Sequence, residues 1–216
     1  MIKNLKVSVI IPIYNTEQYL REAVDSVIHQ DIGFEDNVQI ILINDGSPDN
    51  SEEICLEYAG MYPRNIQYIY QDNAGVATAR NKALQHVTGS YVLFLDSDDM
   101  LGDDVLSKTY TMLEENRQID VAAVRVKLFE AKDEYHVLDY KYKGDEDRVI
   151  DLLEDYDHIQ NSCSNTLIRY SSLESKKFNE KLKYSEDLTL MCEILLESNK
   201  LGTVPSATYY YRKRED

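Results

Sequence analysis

The 216-residue chain has no tryptophan, and only four prolines, eight glycines and three cysteines. So little Pro and Gly excludes a collagen-like repeat and a low-complexity linker. Hydrophobic residues make up 43% of the chain, too many for a disordered segment. Cys55, Cys163 and Cys192 are far apart, odd in number and form no CxxC. That excludes a disulfide scaffold and fits a reduced, cytosolic setting. His29, His86, His136 and His158 make no zinc spacing. No stretch approaches the ~20 apolar residues that span a bilayer. The run Val7–Ile13 follows Lys3 and Lys6, but it is short and ends in Pro-Ile-Tyr-Asn without a small-residue cleavage site. Basic residues are also scarce: 23 Lys and Arg stand against 39 Asp and Glu, a net charge of -16. General nucleic-acid binding draws on basic patches and is excluded. An anionic ligand must instead be met locally, by a metal ion, a helix N-terminus or a placed arginine.

Apolar runs alternate with helical patterns. Val7–Ile13 is β-branched and continuous, as in a central parallel strand. Leu20, Ala23, Val24, Val27 and Ile28 fall on one helical face, with Thr16 as the expected N-cap. Further strands are expected at Val38–Ile43, Ile66–Tyr70, Tyr91–Leu95 and Val121–Val126. Helices are expected around Ile54 to Tyr58, over Val76–His86 and from about Asp103 to Glu115. This alternation reads as βαβ units: an α/β fold with a mostly parallel sheet and helices on both faces. The second half differs. Lys127 to Tyr142 suggests a hairpin, and Asp145 to Asp157 a solvated helix face. Leu182 to Asn199 holds a helix with Leu188, Met191, Cys192, Leu195 and Leu196 on one side. Thr208–Tyr211 reads as a short strand. No linker separates the halves, so 1–216 is read as one domain divided functionally near residue 126.

Parallel α/β sheets put ligands at the carboxyl ends of their strands. Polar clusters follow four strands here: Tyr14-Asn15, Asn44-Asp45, Asp72-Asn73 and Asp96 to Asp99. The sharpest is Asp96-Ser-Asp-Asp99. Three carboxylates this close need a counter-charge, and Mg²⁺ or Mn²⁺ suits oxygen ligands. A calcium loop is excluded, because Leu101 and Ser107 stand where it needs Gly and Glu. The plainer alternative is a polar loop with capping aspartates. In Asn44-Asp-Gly-Ser-Pro-Asp49, Asp45 is placed to accept from an imide N–H such as that of uracil, or to cap a helix. In Asn73-Ala-Gly-Val-Ala-Thr-Ala-Arg80-Asn81, a glycine turn opens a helix whose free N–H groups favour an anion. Arg80, one turn in, either reaches the same ligand or lies on the surface. Ser185-Glu186-Asp187 begins an amphipathic helix, where acids complement the dipole or, alternatively, supply a general base. GxGxxG, GxxxxGK[ST] and GxSxG are all absent.

Taken in order and spacing over nearly the whole chain, these segments resemble a family 2 glycosyltransferase with the GT-A fold. They are Val7 to Asn15, Asn44 to Asp49, Asn73 to Asn81, Asp96 to Asp99 and Glu186-Asp187. The resemblance implies a metal-dependent, inverting transfer from a nucleotide-sugar, expected to be a UDP-sugar. The acceptor is expected to be a bacterial surface glycan or a lipid-linked saccharide. By position, Pro12, Tyr14 and Asn15 line the nucleotide pocket, and Asp45 with Gly46 meets the base. Asn73 and Arg80 contact base, ribose or diphosphate. Asp96, Ser97 and Asp98 form the DxD element, with Asp98 on Mn²⁺ or Mg²⁺ and Asp96 on ribose or metal. The resemblance makes Asp187 the expected catalytic base, with Glu186 as the neighbour that positions it or the acceptor. Arg212 either touches the diphosphate or belongs to an exposed basic end. The expected halves are 1–126 for the donor and 127–216 for the acceptor. The expected setting is the cytoplasm, with peripheral association at the inner membrane face. The segment Tyr209 to Arg214 resembles the place where the family's catalytic domain finishes, and family members often continue beyond it.

Two rivals make different demands. A sugar-nucleotide nucleotidyltransferase needs a Gly- and basic-rich loop after the first strand, where Pro12-Ile-Tyr-Asn15 stands. A degenerate nucleotide-binding domain needs missing carboxylates, and the expected ones are present.

Overall fold

A computed structural model describes residues 5–130, 134–137, 139–142, 146–159 and 162–213. Asp145 and Arg214, named above in expected segments, lie outside these. The first half alternates as its apolar runs require. Its elements are β1 (Val7–Ile13), α1 (Leu20–Ile28), α2 (Phe34–Asn37), β2 (Val38–Asp45), α3 (Ser51–Met61), β3 (Ile66–Gln71), α4 (Val76–Leu84) and β4 (Tyr91–Phe94). Every residue of β1, β2 and β4 is buried. β1 pairs in parallel with both β2 and β4, and β2 with β3.

Successive strand side chains point to opposite faces, so β1 serves two cores. Val7, Val9, Ile11 and Ile13 pack with Leu20, Val24 and Val27 of α1 and Ile54 of α3. Ile10 faces the other way, toward Ala79 and Ala83 of α4. α1 shows one correction. Its N-cap is Tyr19, without a side-chain cap. Thr16 starts the turn through its carbonyl, and its hydroxyl donates instead to Ser97 Oγ at 2.9 Å.

The second half adds β5 (Met100–Leu101), α5 (Val105–Glu115), β6 (Val121–Glu130), β7 (Glu134–Tyr135), β8 (Arg148–Asp151), β9 (Thr166–Arg169), α6 (Glu186–Ser198) and β10 (Lys200–Lys213). The sheet order is β3-β2-β1-β4-β9-β6-β10-β5, with β7 on β6 and β8 on β10. β9 is antiparallel to both β4 and β6, so the sheet is parallel across the first four strands and mixed beyond them. β6 and β7 pair antiparallel, as the hairpin reading expects.

Three expectations change here. The acid-rich segment holds strand β8 and a 3₁₀ turn at Tyr156–His158 among its described residues, not a helix, because Arg148–Asp151 pairs with Lys200–Thr203. Thr208–Tyr211 is part of the 14-residue β10, whose register along β6 shifts between Val204 and Thr208. Pro205 lies inside that shift and has no N–H to give a ladder. α6 buries Leu190, Met191, Ile194 and Leu195, while Leu196 is exposed. Thr189, Glu193 and Glu197 make the opposite, exposed stripe, and Leu196 falls beside it. Among the described residues, no helix is long and apolar enough to cross a membrane.

Candidate active site

The carboxyl ends of the parallel strands open into a cleft of about 420 Å³. Pro12, Ile13 and Tyr14 enter from the end of β1 and Asp45 from β2. Asn73 and Gly75 come from the turn after β3, and Asp96, Ser97 and Asp98 from the turn after β4. Seven sequence-predicted residues thus meet in one space: Pro12, Tyr14, Asp45, Asn73, Asp96, Ser97 and Asp98. Asn15 stands beside it in the left-handed region (φ 54°), its N–H donating to Ser47 Oγ at 2.7 Å. Gly46 lies beneath Asn73 at φ +68°, where an added Cβ would come within 2.8 Å of the Asn73 nitrogen. Only glycine suits that close approach.

Asp45 is 4% exposed and fully engaged. Its Oδ1 accepts from Gln71 Nε2 at 2.7 Å and from Ala74 N at 2.9 Å, and its Oδ2 from Gly75 N at 2.9 Å. It therefore fixes the turn that opens α4 while one edge faces the cleft. These bonds serve the turn before α4, the helix that follows the strand's own crossover helix α3.

Arg80 is buried, not on the surface. Its Nη2 donates to Asp96 Oδ1 at 2.8 Å and its Nη1 to Glu186 Oε1 at 2.9 Å. One guanidinium fork thus ties the loop after β4 to the first turn of α6. Burial opposes its charge, while nearby Cys163, Asp96, Glu186 and Asp187 raise its pKa above the ordinary value. The Cys163 thiol is itself pushed up to about 12 by burial and stays neutral, so the carboxylates carry that effect. The second oxygen of Asp96 accepts from Ser164 Oγ at 2.9 Å. Asp187 follows Glu186 on α6, partly exposed, with Oδ1 accepting from Leu188 N at 2.8 Å. Ser185 before it is left-handed at φ 63°.

The third loop carboxylate has a different role. Asp99 is 1% exposed; it accepts from Tyr209 Oη at 2.6 Å and from Arg212 N at 2.8 Å. Burial and the charge of Asp96 push it up to about 8. Arg212 does not form an exposed basic end. It is buried, its Nε donates to the Asp98 carbonyl at 2.7 Å, and its guanidinium pairs with Glu22 and Glu130. Tyr19 and Phe129 lie against it, their ring centroids 4.6 and 4.4 Å from its carbon. It holds the main chain of Asp98 from behind the cleft and is absent from the cleft lining.

Sequence reasoning missed Ser164, Gln71, Tyr209, Glu22 and Glu130. Gln71 adjoins the Asp72-Asn73 cluster and Tyr209 opens the segment Tyr209 to Arg214, but the sequence does not show their partners; Ser164, Glu22 and Glu130 lie outside every motif and arrive by tertiary packing. Among the described residues, no three His, Cys, Asp or Glu side chains converge to cage an ion. One or two carboxylates completed by substrate phosphates is, however, the arrangement Mg²⁺ commonly uses. Asp98, with Asp96 beside it, fits that chemistry.

Comparison with known proteins agrees with this geometry. The Glycosyl transferase family 2 profile matches residues 8–175. The minor teichoic acid biosynthesis protein GgaB of Bacillus subtilis is 41% identical over 99% of this chain. The poly(ribitol-phosphate) beta-glucosyltransferase of Bacillus spizizenii is 29% identical over 98% of it. The crystal structure of S. aureus TarS 1-349 in complex with UDP-GlcNAc superposes with a TM-score of 0.84 at 26% identity, covering 98% of this chain. The chain spans 23% and 33% of the two Bacillus proteins and 60% of the TarS 1-349 chain. With its GT-A architecture and four strand ends converging on one cleft, the chain belongs to glycosyl transferase family 2.

Proposed function

We propose that this domain catalyses metal-dependent, inverting transfer of a sugar from a UDP-sugar to a hydroxyl of a bacterial surface glycan of the teichoic acid type. One observation carries the reading: the Arg80 fork joins Asp96, in the cleft, to Glu186, next to Asp187. Donor site and base are thereby held in one rigid unit. Asp45 and Asn73 face the nucleotide, and Pro12 and Tyr14 form the wall beside it. The TarS complexes with UDP and UDP-GlcNAc support a uridine donor, and the roles of GgaB in minor teichoic acid biosynthesis and of the poly(ribitol-phosphate) beta-glucosyltransferase support the acceptor class.

Asp98 and Asp96 would hold Mn²⁺ or Mg²⁺. Such an ion, when bound, neutralises charge on the leaving diphosphate. Asp187 takes the proton of the acceptor hydroxyl, which attacks opposite the leaving group. One base and one displacement invert the anomeric centre. Glu186 stays bound to Arg80, leaving Asp187 as the more accessible of the two acids.

Calorimetric titration of UDP, GDP, CDP and ADP, with Mn²⁺ and then with EDTA, tests the donor. Selective UDP binding that weakens in EDTA is expected; preference for another diphosphate changes the donor. Asp187→Asn should keep UDP affinity and lower turnover by roughly 10² to 10⁴. Unchanged turnover removes Asp187 as base.

A further inference from the structure

A second cavity, of about 170 Å³, lies across Asp96 from the nucleotide cleft. Tyr142, Tyr209 and Tyr211 supply aromatic walls; Asp96 lines both spaces, and Ser164, which donates to it, lines the second. Tyr142 is held in place, because Asn165 Nδ2 donates to its hydroxyl at 3.0 Å and to the Val124 carbonyl at 2.7 Å. Aromatic faces alternating with hydroxyl and amide groups suit a polyhydroxylated ligand, whose C–H faces pack on rings while its hydroxyls bond at the edges.

The charge of the lining adds a second observation. Both carboxylates in it are already answered: Asp96 by Arg80, and Asp139 by Arg125 Nε at 2.6 Å. Lys141 is 5% exposed, and its amine donates to the Ile159 carbonyl. Among the described residues, no carboxylate pairs with it. Burial lowers its pKa, with Asp157 opposing from a distance. A buried ammonium without a counter-ion is costly, and an anion in the cavity would complete it. In a chain of net charge -16, such a cation is the local device an anionic ligand needs.

We infer that this cavity is an acceptor subsite for a phosphorylated polyol, with Lys141 meeting the phosphate and Tyr142 and Tyr211 packing against the polyol. The inference rests on the donor reading above, because it places the acceptor on the far side of Asp96 from the nucleotide.

Glycerol 3-phosphate, ribitol and inorganic phosphate are the probes, titrated into the full chain with and without saturating UDP. Glycerol 3-phosphate should bind in the presence of UDP, and more tightly than ribitol or inorganic phosphate. Lys141→Met should weaken it roughly tenfold, the scale of one charge-assisted hydrogen bond, while UDP affinity stays unchanged. Tyr211→Ala, at a half-exposed position, should also weaken it and serves should Lys141→Met fail to fold. The subsite is overturned by displacement of glycerol 3-phosphate by UDP, by unchanged affinity in the folded variant, or by no binding. Equal affinity for inorganic phosphate overturns the polyol part. Failure of UDP itself to bind would strike the donor reading, whereas the response to Lys141→Met would still be read directly.

Discussion

Two buried arginines flank the loop after β4, and their partners differ in depth. The Arg80 side chain is 6% exposed, and its carboxylates, Asp96 and Glu186, are 32% and 10% exposed. The Arg212 side chain is 2% exposed, but Glu22 and Glu130 are 57% and 45% exposed. Water can take over the partners of Arg212, but not Glu186. Arg80 also joins two side chains of the site, whereas Arg212 reaches it through the Asp98 main chain. The first arginine links the loop after β4 to the first turn of α6. The second is a brace for the loop's backbone.

The largest difference between them should appear on truncation. Arg80→Met leaves the buried Glu186 and the partly buried Asp96 without a counter-charge and should cost about 3–5 kcal/mol of stability in denaturant unfolding. Arg80→Lys should recover only part, because an ammonium lacks the planar fork that spans two acids. A loss for Arg80→Met no larger than for Arg212→Met would break the comparison.

The same contrast shows what the sequence makes legible. β1, β2 and β4 are continuous apolar runs ending in polar clusters, and the placement of those clusters at one sheet edge follows from the parallel order alone. The division of labour inside Asp96-Ser-Asp-Asp99 does not. Three carboxylates in four residues look alike in sequence, yet packing sends Asp96 to Arg80 and Asp99 to Tyr209 and the Arg212 amide. Arg212 meets Glu22 across 190 residues and Glu130 across 82, separations without periodicity to reveal them. β8 was hidden for a related reason: its strand character comes from the first residues of β10, not from its own acid-rich composition.

Arg212→Met sharpens the other side of the comparison. With its glutamates free to hydrate, the variant should lose about 1–3 kcal/mol, mostly from the unanswered Asp98 carbonyl. Its specific mark should be on ligand binding. UDP affinity measured with Mn²⁺ should weaken more than affinity measured in EDTA, since Asp98 is the residue whose backbone is released. Equal weakening in both conditions would make Arg212 a general support of the cleft, not a brace for one aspartate.

Asp45 gives the smallest and most discriminating effect, because it ends β2 and its partners are shared with neither arginine. Its three hydrogen bonds run to Gln71, Ala74 and Gly75, so Asp45→Ala should cost about 1–2 kcal/mol, in the range of a lost helix cap. Asp45→Asn keeps one acceptor oxygen and should cost less. The two variants separate support of the turn from contact with the base. If Asp45 only holds the turn, Asp45→Asn binds UDP and CDP in the wild-type ratio. If it also accepts from the uracil imide, the amide replaces that acceptor in part with a donor, and the preference for UDP over CDP falls even while the fold stays intact. Nucleotide titrations at matched stability decide between them, and they do so without disturbing either arginine.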